Sequence, residues 1–183
     1  VFATLWAGGV INPVNARWSA REMAFSLEDS DTRILVVDDG FASMVPELRA
    51  LAPGLERIIH TGDTVAPEGM DGWEQLIASH DPVPDAGRAG DDMAALLYTG
   101  GTTGRPKGVL GTQQGIVNRL SWMWREDPFT KDDVLCQKTS LGFVDSVSEV
   151  FGGLLRGTKT EYVAAIESGD PGELIRRLRD ARV

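Results

Sequence analysis

Residues 98–109 read Tyr98-Thr99-Gly100-Gly101-Thr102-Thr103-Gly104-Arg105-Pro106-Lys107-Gly108-Val109. No other run of the chain concentrates glycine, threonine and a basic side chain in this way. Glycine lets backbone N–H groups approach a ligand closely, and threonine hydroxyls add further donors. Lys107 supplies a full positive charge. The stretch therefore predicts an anion loop for a polyphosphate, and the alternative is a glycine-rich turn that only joins a strand to a helix.

The spacing within this loop differs from the common nucleotide-binding motifs. A Walker loop needs a glycine immediately before the lysine, where this chain has Pro106, and the dinucleotide motif G-x-G-x-x-G is absent. The apolar run Met93–Leu97 before the loop predicts a buried strand, and apolar residues at helical spacing predict a helix near 113–124. We therefore expect residues 98–108 to form an exposed loop between that strand and that helix.

Strands and helices alternate through the rest of the chain. Two capping boxes, Ser19 to Glu22 and Ser146 to Glu149, predict helix starts. Residues 33–37 contain four consecutive branched apolar residues, which predict a strand covered on both faces, and residues 55–60 predict the next strand. Asp170 before a proline predicts the start of the last helix. This order favours an α/β fold with a largely parallel sheet flanked by helices.

Composition narrows the function classes. A chain of 183 residues with 42% apolar content predicts one domain, and a formal charge of −9 disfavours nucleic acid or an anionic membrane as partner. No apolar run is long enough to span a membrane. One cysteine, Cys136, and two histidines leave no metal cluster, so we expect no protein metal site and a cytoplasmic setting. The chain opens at Val1 without a leader, which predicts a fragment cut at both ends.

The loop resembles the signature Y-T-[SG]-G-T-T-G-x-P-K-G-V of the adenylate-forming superfamily, which contains acyl-CoA synthetases, luciferases and the adenylation domains of nonribosomal peptide synthetases. The resemblance extends over nearly the whole chain, with weaker motifs outside the loop. It implies that residues 1–183 are a single incomplete adenylation domain, part of the large N-terminal domain of such an enzyme. It also implies that the fragment alone is inactive.

The chemistry implied by this resemblance is ATP-dependent activation of a small carboxylic acid. The acid forms an acyl-adenylate with release of pyrophosphate, assisted by Mg²⁺, and the acyl group passes to a thiol of CoA or of a carrier-protein phosphopantetheine. Lys107 is the implied catalytic residue. The implied ATP-binding residues are Thr99, Gly100, Gly101, Thr102, Thr103, Gly104 and Lys107. The alternative is a phosphate-binding or assembly module without turnover.

The segment that begins at Phe143 resembles the F-x-F-D-x-S-V-x-E-x-F run that lines the acid pocket of peptide synthetases. It implies a pocket formed by Phe143, Val144, Asp145 and Ser148. Val144 stands where relatives that activate α-amino acids have an aspartate, and the acid follows one position later. The resemblance then implies a β-amino acid substrate, with an uncharged fatty or aryl acid second. The other interpretation of Asp145 is a helix N-cap, and one residue could do both.

Overall fold

The computed structural model describes residues 1–99, 106–143, 145–163 and 170–183 of the chain. Helices and strands alternate through much of this part, which confirms the predicted α/β class. The α-helices are α1 Phe2–Trp6, α2 Ala20–Asp29, α3 Val45–Leu51, α4 Trp73–Ser79, α5 Gln113–Glu126, α6 Asp145–Leu154 and α7 Pro171–Ala181. The β-strands are β1 Ile34–Val37, β2 Arg57–His60, β3 Asp71–Gly72, β4 Met93–Thr99, β5 Lys107–Thr112, β6 Val134–Gln137 and β7 Lys159–Tyr162.

Parallel pairing dominates the described strands. Strands β1, β2 and β3 form one sheet in that order, and both of its pairs are parallel. Strands β6 and β7 form a second parallel pair, and β4 pairs with β5. The pairs β1–β2 and β6–β7 are each joined by a helical crossover, α3 in the first and α6 in the second, as a parallel connection requires.

The chain divides into two compact units. The first comprises residues 1–88 and 98–109, and the second comprises residues 89–97 and 110–183. The three-stranded sheet and helices α1 to α4 belong to the first unit, whereas α5, α6, α7 and the β6–β7 pair belong to the second.

The core of the first unit forms between helix α2 and its neighbours. The predicted capping box starts this helix: the Ser19 hydroxyl accepts a hydrogen bond from the Glu22 N–H, and the Glu22 carboxylate accepts one from the Ser19 N–H. The buried face of α2 packs with α3 and with Ile58 of β2. Leu27 is only 1% exposed, and burial of such a side chain stabilises the fold by about 1.5–3 kcal/mol.

Strand β1 lies at its predicted position, but the expectation that both of its faces are covered is wrong for this chain. Leu35 and Val37 pack against the core of the first unit. Ile34 and Val36 point to the opposite face because side chains alternate along a strand, and these two are 55% and 51% exposed. The run of branched residues therefore predicts the strand and not the number of covered faces.

Two adjacent glycines set the packing of helix α6 in the second unit. A Cβ at Gly153 would lie 2.6 Å from the Thr160 Oγ1 and 2.9 Å from the Leu135 Cδ1, and a Cβ at Gly152 would lie 2.5 Å from the Met123 Cε. A side chain at Gly153 would therefore require Thr160 and Leu135 to shift, whereas at Gly152 only the terminal methyl group of Met123 would have to move.

The segment predicted as one exposed loop is shorter than residues 98–108. Strand β4 continues through Thr99, and a strand that the sequence did not predict, β5, begins at Lys107. The two strands pair with each other in a two-stranded sheet. Residues 100–105, which carry most of the glycines and threonines, lie outside the described residues.

Candidate functional site

The two ends of the phosphate-loop segment meet at Thr99 and Lys107. Thr99 is the last residue of β4, and Lys107 is the first residue of β5. The Thr99 hydroxyl donates a long hydrogen bond of 3.5 Å to the Lys107 carbonyl oxygen. The structure therefore brings these two predicted site residues together, whereas the predicted residues Gly100, Gly101, Thr102, Thr103 and Gly104 lie outside the described residues.

Lys107 is exposed, and within the described residues it forms no ion pair. A lysine ammonium is a compact, mobile charge that binds phosphate oxygens well. Its position at the first residue of a paired strand fixes the backbone and leaves the side chain free to follow a ligand. An exposed lysine at this position is suited to recognition of an anionic group.

Tyr98 is buried in the first unit and joins the same end of β4 to helix α2. Its side chain is 6% exposed, and its hydroxyl donates a hydrogen bond of 2.7 Å to an Asp29 carboxylate oxygen at the end of α2. Burial raises the pKa of Tyr98 above its ordinary value, and the bond to Asp29 raises it further. Tyr98 is therefore a neutral donor at all physiological pH values. Sequence reasoning gave this residue no role, because its partner lies 69 residues away.

The predicted acid-pocket residues lie at the start of helix α6. Phe143 is 53% exposed just before the helix, Asp145 is its exposed first residue, and Ser148 is partly buried one turn later. Val144 lies outside the described residues. The helix thus brings Asp145 and Ser148 near each other, since residues three apart are neighbours on a helix surface.

The structure gives no support to Asp145 as an N-cap. Helix α6 includes Asp145 in its first turn, and no described residue donates a hydrogen bond to the Asp145 carboxylate. A negative charge in the first turn is favourable because the helix dipole is positive there. The exposed carboxylate is therefore available to a cationic group of a ligand.

The second predicted capping box is wrong, and its two polar residues act elsewhere. Ser146 lies inside α6 and is 3% exposed, with its hydroxyl donating to the Phe143 carbonyl oxygen at 2.7 Å. The Glu149 carboxylate accepts hydrogen bonds from the backbone N–H of Lys138 and from the N–H and hydroxyl of Thr139. The pattern of serine and glutamate does lie near a helix start. Because the helix begins before Ser146, both side chains form hydrogen bonds with other partners.

Composition also singles out Cys136 and His60, which both lie on strands. Cys136 is a partly buried residue of β6, and burial raises the pKa of its thiol, as expected for an inert cysteine. His60 ends β2 as predicted but is buried, with its Nε2 3.1 Å from the Asp39 Oδ1. Over residues 1–99, 106–143, 145–163 and 170–183, no group of three His, Cys, Asp or Glu could hold a metal ion. In the same ranges, no helix combines the length and apolar character needed to cross a membrane.

The chain resembles curated peptide synthetases over most of its length. It is 30% identical over 183 residues to the vanchrobactin synthetase VabF of Vibrio anguillarum, a match that covers 100% of this chain and 6% of that protein. It is 39% identical over 98 residues to the beta-alanyl-bioamine nonribosomal peptide synthetase ebony of Drosophila melanogaster, covering 52% of this chain and 11% of that protein. The chain therefore spans a small part of the length of the curated relatives it matches.

A solved structure confirms the fold. The N-terminal domain of FACL13 from Mycobacterium tuberculosis superposes with a TM-score of 0.82 at 23% identity, covering 98% of this chain and 43% of that chain. At this identity the likeness shows the fold, which is that of the N-terminal domain implied by the loop signature.

The family comparison covers every residue. The model of the family described as AMP-binding enzyme matches residues 1–183. The exposed Lys107, the paired strands that hold the two ends of its loop, and the loop signature itself agree with that match. The chain belongs to the AMP-binding enzyme family, the adenylate-forming superfamily that its residues 98–109 resemble.

Proposed function

We propose that this chain is part of an adenylate-forming ligase that activates a carboxylic acid with ATP. The carboxylate oxygen of the acid attacks the α-phosphorus of ATP, the bond to the bridging oxygen breaks, and pyrophosphate leaves with that oxygen. The acyl-adenylate then transfers its acyl group to a thiol, with AMP as the leaving group. The family match over residues 1–183 is the observation that carries this proposal.

In this proposal, Lys107 and the loop it ends stabilise charge on the phosphates. Lys107 is exposed at the start of β5, so its ammonium is accessible to a phosphate oxygen. In many enzymes, hydrogen-bond donors that are already in place before the reaction and stabilise developing charge make the largest single contribution to the rate enhancement. Thr99 would serve mainly to join the two ends of the loop, since its hydroxyl already donates to the Lys107 carbonyl. Mg²⁺ bound with ATP would neutralise further phosphate charge, and we assign it no ligand among the described residues.

We further propose that residues 1–183 form an incomplete part of an adenylation domain. The chain corresponds to 43% of the N-terminal domain of the M. tuberculosis protein, so residues outside this chain would complete the acid and nucleotide sites. The fragment alone would then be inactive. The acyl acceptor would be CoA or the phosphopantetheine of a carrier protein, because the relatives include both CoA ligases and nonribosomal peptide synthetases.

A β-amino acid is the substrate that we favour for the acid site. Asp145 is exposed in the first turn of α6, where its carboxylate can pair with an ammonium group. Its displacement by one residue from the position used for α-amino acids suits an amine one carbon further from the reacting carboxyl. The Drosophila relative is named as a beta-alanyl-bioamine nonribosomal peptide synthetase, which supports the same choice.

The test of this function is ATP–pyrophosphate exchange by the full-length protein. We expect exchange that depends on an added acid, with β-alanine among the active acids. A phosphate-binding or assembly module would bind ATP, for example in a calorimetric titration, and show no exchange with any acid of a panel of amino, fatty and aryl acids. That result would favour the non-catalytic alternative.

A further inference from the structure

We propose that Glu149 is a positioning residue that holds the acid-binding start of helix α6 against the end of strand β6. The proposal rests on the proposed function, since it assigns Glu149 to acid selection. Glu149 itself would not contact the acid. Its effect would pass through Asp145 and Ser148, which share its helix.

Both carboxylate oxygens of Glu149 are occupied by donors from the residues that follow β6. The Oε2 accepts from the Lys138 N–H at 3.0 Å and from the Thr139 N–H at 2.7 Å. The Oε1 accepts from the Thr139 hydroxyl at 2.7 Å. Hydrogen bonds to an ionised carboxylate are about twice as strong as neutral ones, so these three form a firm connection.

The predicted pocket residues lie between Thr139 and Glu149 in the sequence, so the connection spans them. The chain leaves β6 at Gln137, passes Thr139 and Phe143, and enters α6 at Asp145. Two further bonds shape this path. The side-chain amide of the buried Gln137 donates to the Thr139 carbonyl at 2.8 Å, and the Ser146 hydroxyl donates to the Phe143 carbonyl at 2.7 Å.

Glu149 lies one helical turn beyond Asp145, and residues four apart lie on the same side of a helix. A carboxylate pair at this spacing is unfavourable in an isolated helix, because the two charges repel each other. Here the charge of Glu149 is directed at the backbone donors of Lys138 and Thr139, while Asp145 stays exposed. The two acidic residues therefore differ in role. Glu149 holds the helix in place, whereas the Asp145 carboxylate stays exposed and accessible to a ligand.

Removal of this connection would free the first turn of α6 to shift relative to β6. A displacement of about 1 Å near a reacting group can cost about 100-fold in rate. Because Lys107 and the loop end at Thr99 belong to other strands, binding of ATP should change little. Loss of Glu149 therefore predicts weaker binding and poorer discrimination of the acid, with the KM for ATP unchanged.

The choice of variants follows from the donor pattern. Glu149→Gln keeps one oxygen for the two N–H groups, and its amide can donate to the Thr139 hydroxyl oxygen, so it should retain part of the connection without the contribution of the charge. Glu149→Ala removes it entirely. Thr139→Val removes only the hydroxyl, and Thr139→Ser restores it. Glu126→Ala is the matched control, because Glu126 is a 56% exposed glutamate at the end of a helix.

The first measurement is amide hydrogen exchange of the full-length protein over the peptide that contains Lys138 and Thr139. We expect this peptide to exchange about tenfold faster in Glu149→Ala, which corresponds to about 1.4 kcal/mol. Glu126→Ala should match the wild type, and Glu149→Gln should fall between the wild type and Glu149→Ala. Unchanged protection in Glu149→Ala would show that the connection does not exist in solution and would overturn the proposal.

The second measurement is ATP–pyrophosphate exchange with β-alanine and alanine. In Glu149→Ala we expect a rise of about tenfold in the KM for the preferred acid, a smaller ratio between the two acids, and an unchanged KM for ATP. Glu149→Gln should give a ratio between those of the wild type and Glu149→Ala. An unaltered acid KM, or equal changes for ATP and acid, would overturn the role of Glu149. A wild type without acid-dependent exchange would instead overturn the proposed function, and the acid-selection role with it.

Discussion

The hydroxyl of Tyr98 donates a hydrogen bond of 2.7 Å to the carboxylate of Asp29, joining the end of β4 to the end of helix α2. The phenol is buried, whereas Asp29 is exposed. Tyr98 is followed directly by Thr99, whose hydroxyl reaches across to Lys107. The phosphate-loop segment therefore starts from a strand end that is fixed to the core of the first unit.

Tyr98→Phe should destabilise the protein by about 1–2 kcal/mol, because it removes a hydrogen bond to a charged group while Asp29 stays hydrated. Urea denaturation measures this loss as a lower midpoint with an unchanged slope. Tyr162→Phe is the matched control, since Tyr162 is 67% exposed and should change stability by less than about 0.5 kcal/mol. Equal stability of Tyr98→Phe and wild type would show that the bond contributes nothing.

Lys107→Ala should slow acid-dependent ATP–pyrophosphate exchange by an amount equivalent to about 1.5–3 kcal/mol, the value of a hydrogen bond to a charged group. The KM for the acid should change little, because the lysine is assigned to the phosphates. Lys131→Ala, which alters an exposed lysine in the turn before β6, is the control and should behave as wild type. A variant that exchanged normally but preferred a different acid would contradict the assignment of Lys107.

Asp39 should make the stability of the folded protein depend on pH in the acidic range. Its carboxylate accepts hydrogen bonds from the Thr64 hydroxyl and from the Asp63 N–H and lies beside His60, and the bond from Thr64 is the main cause that lowers the pKa of Asp39 below its ordinary 3.8. The unfolded chain therefore binds a proton at higher pH than the folded chain does. The stabilisation is present above the ordinary pKa and is lost as the pH falls through the lower pKa of the folded state.

Thermal unfolding between about pH 5 and pH 2 tests this contribution. The fall in Tm over that range should be steeper for wild type than for Asp39→Asn, which cannot lose a charge on acidification. The exposed Asp81 provides the control, and Asp81→Asn should keep the wild-type slope. Identical slopes for Asp39→Asn and wild type would show that the Thr64 and His60 contacts do not favour the ionised carboxylate in solution.

Asp145→Asn should reduce the preference of the full-length enzyme for β-alanine over a medium-chain fatty acid. The amide keeps the shape of the side chain but removes the charge that pairs with an ammonium, and an ammonium left unpaired in the pocket costs several kcal/mol. The measurement is exchange with β-alanine, alanine and the fatty acid, with Asp132→Asn as an exposed control. A wild-type preference for alanine would refute the pocket argument, and an unchanged preference in Asp145→Asn would remove Asp145 from it.

Local chemistry alone determined several elements of this protein. The helix α2 begins where Ser19 and Glu22 predict it, because both capping partners lie within one turn. Asp170 caps α7 for the same reason, with its carboxylate accepting from the N–H groups of Gly172 and Glu173. The phosphate-loop signature also needs only neighbouring residues, and it led to the family that the comparison confirms.

Tertiary structure decided the features whose partners lie far apart in sequence. Strand β5 exists because β4 supplies hydrogen-bond partners for the glycine-containing run after Lys107. Glu149 accepts hydrogen bonds from Lys138 and Thr139 instead of capping its own helix, because the folded chain brings the residues after β6 within reach of its carboxylate. A local sequence pattern indicates which partners a residue could bind. The choice among its possible partners depends on which of them the folded chain brings within about 3 Å.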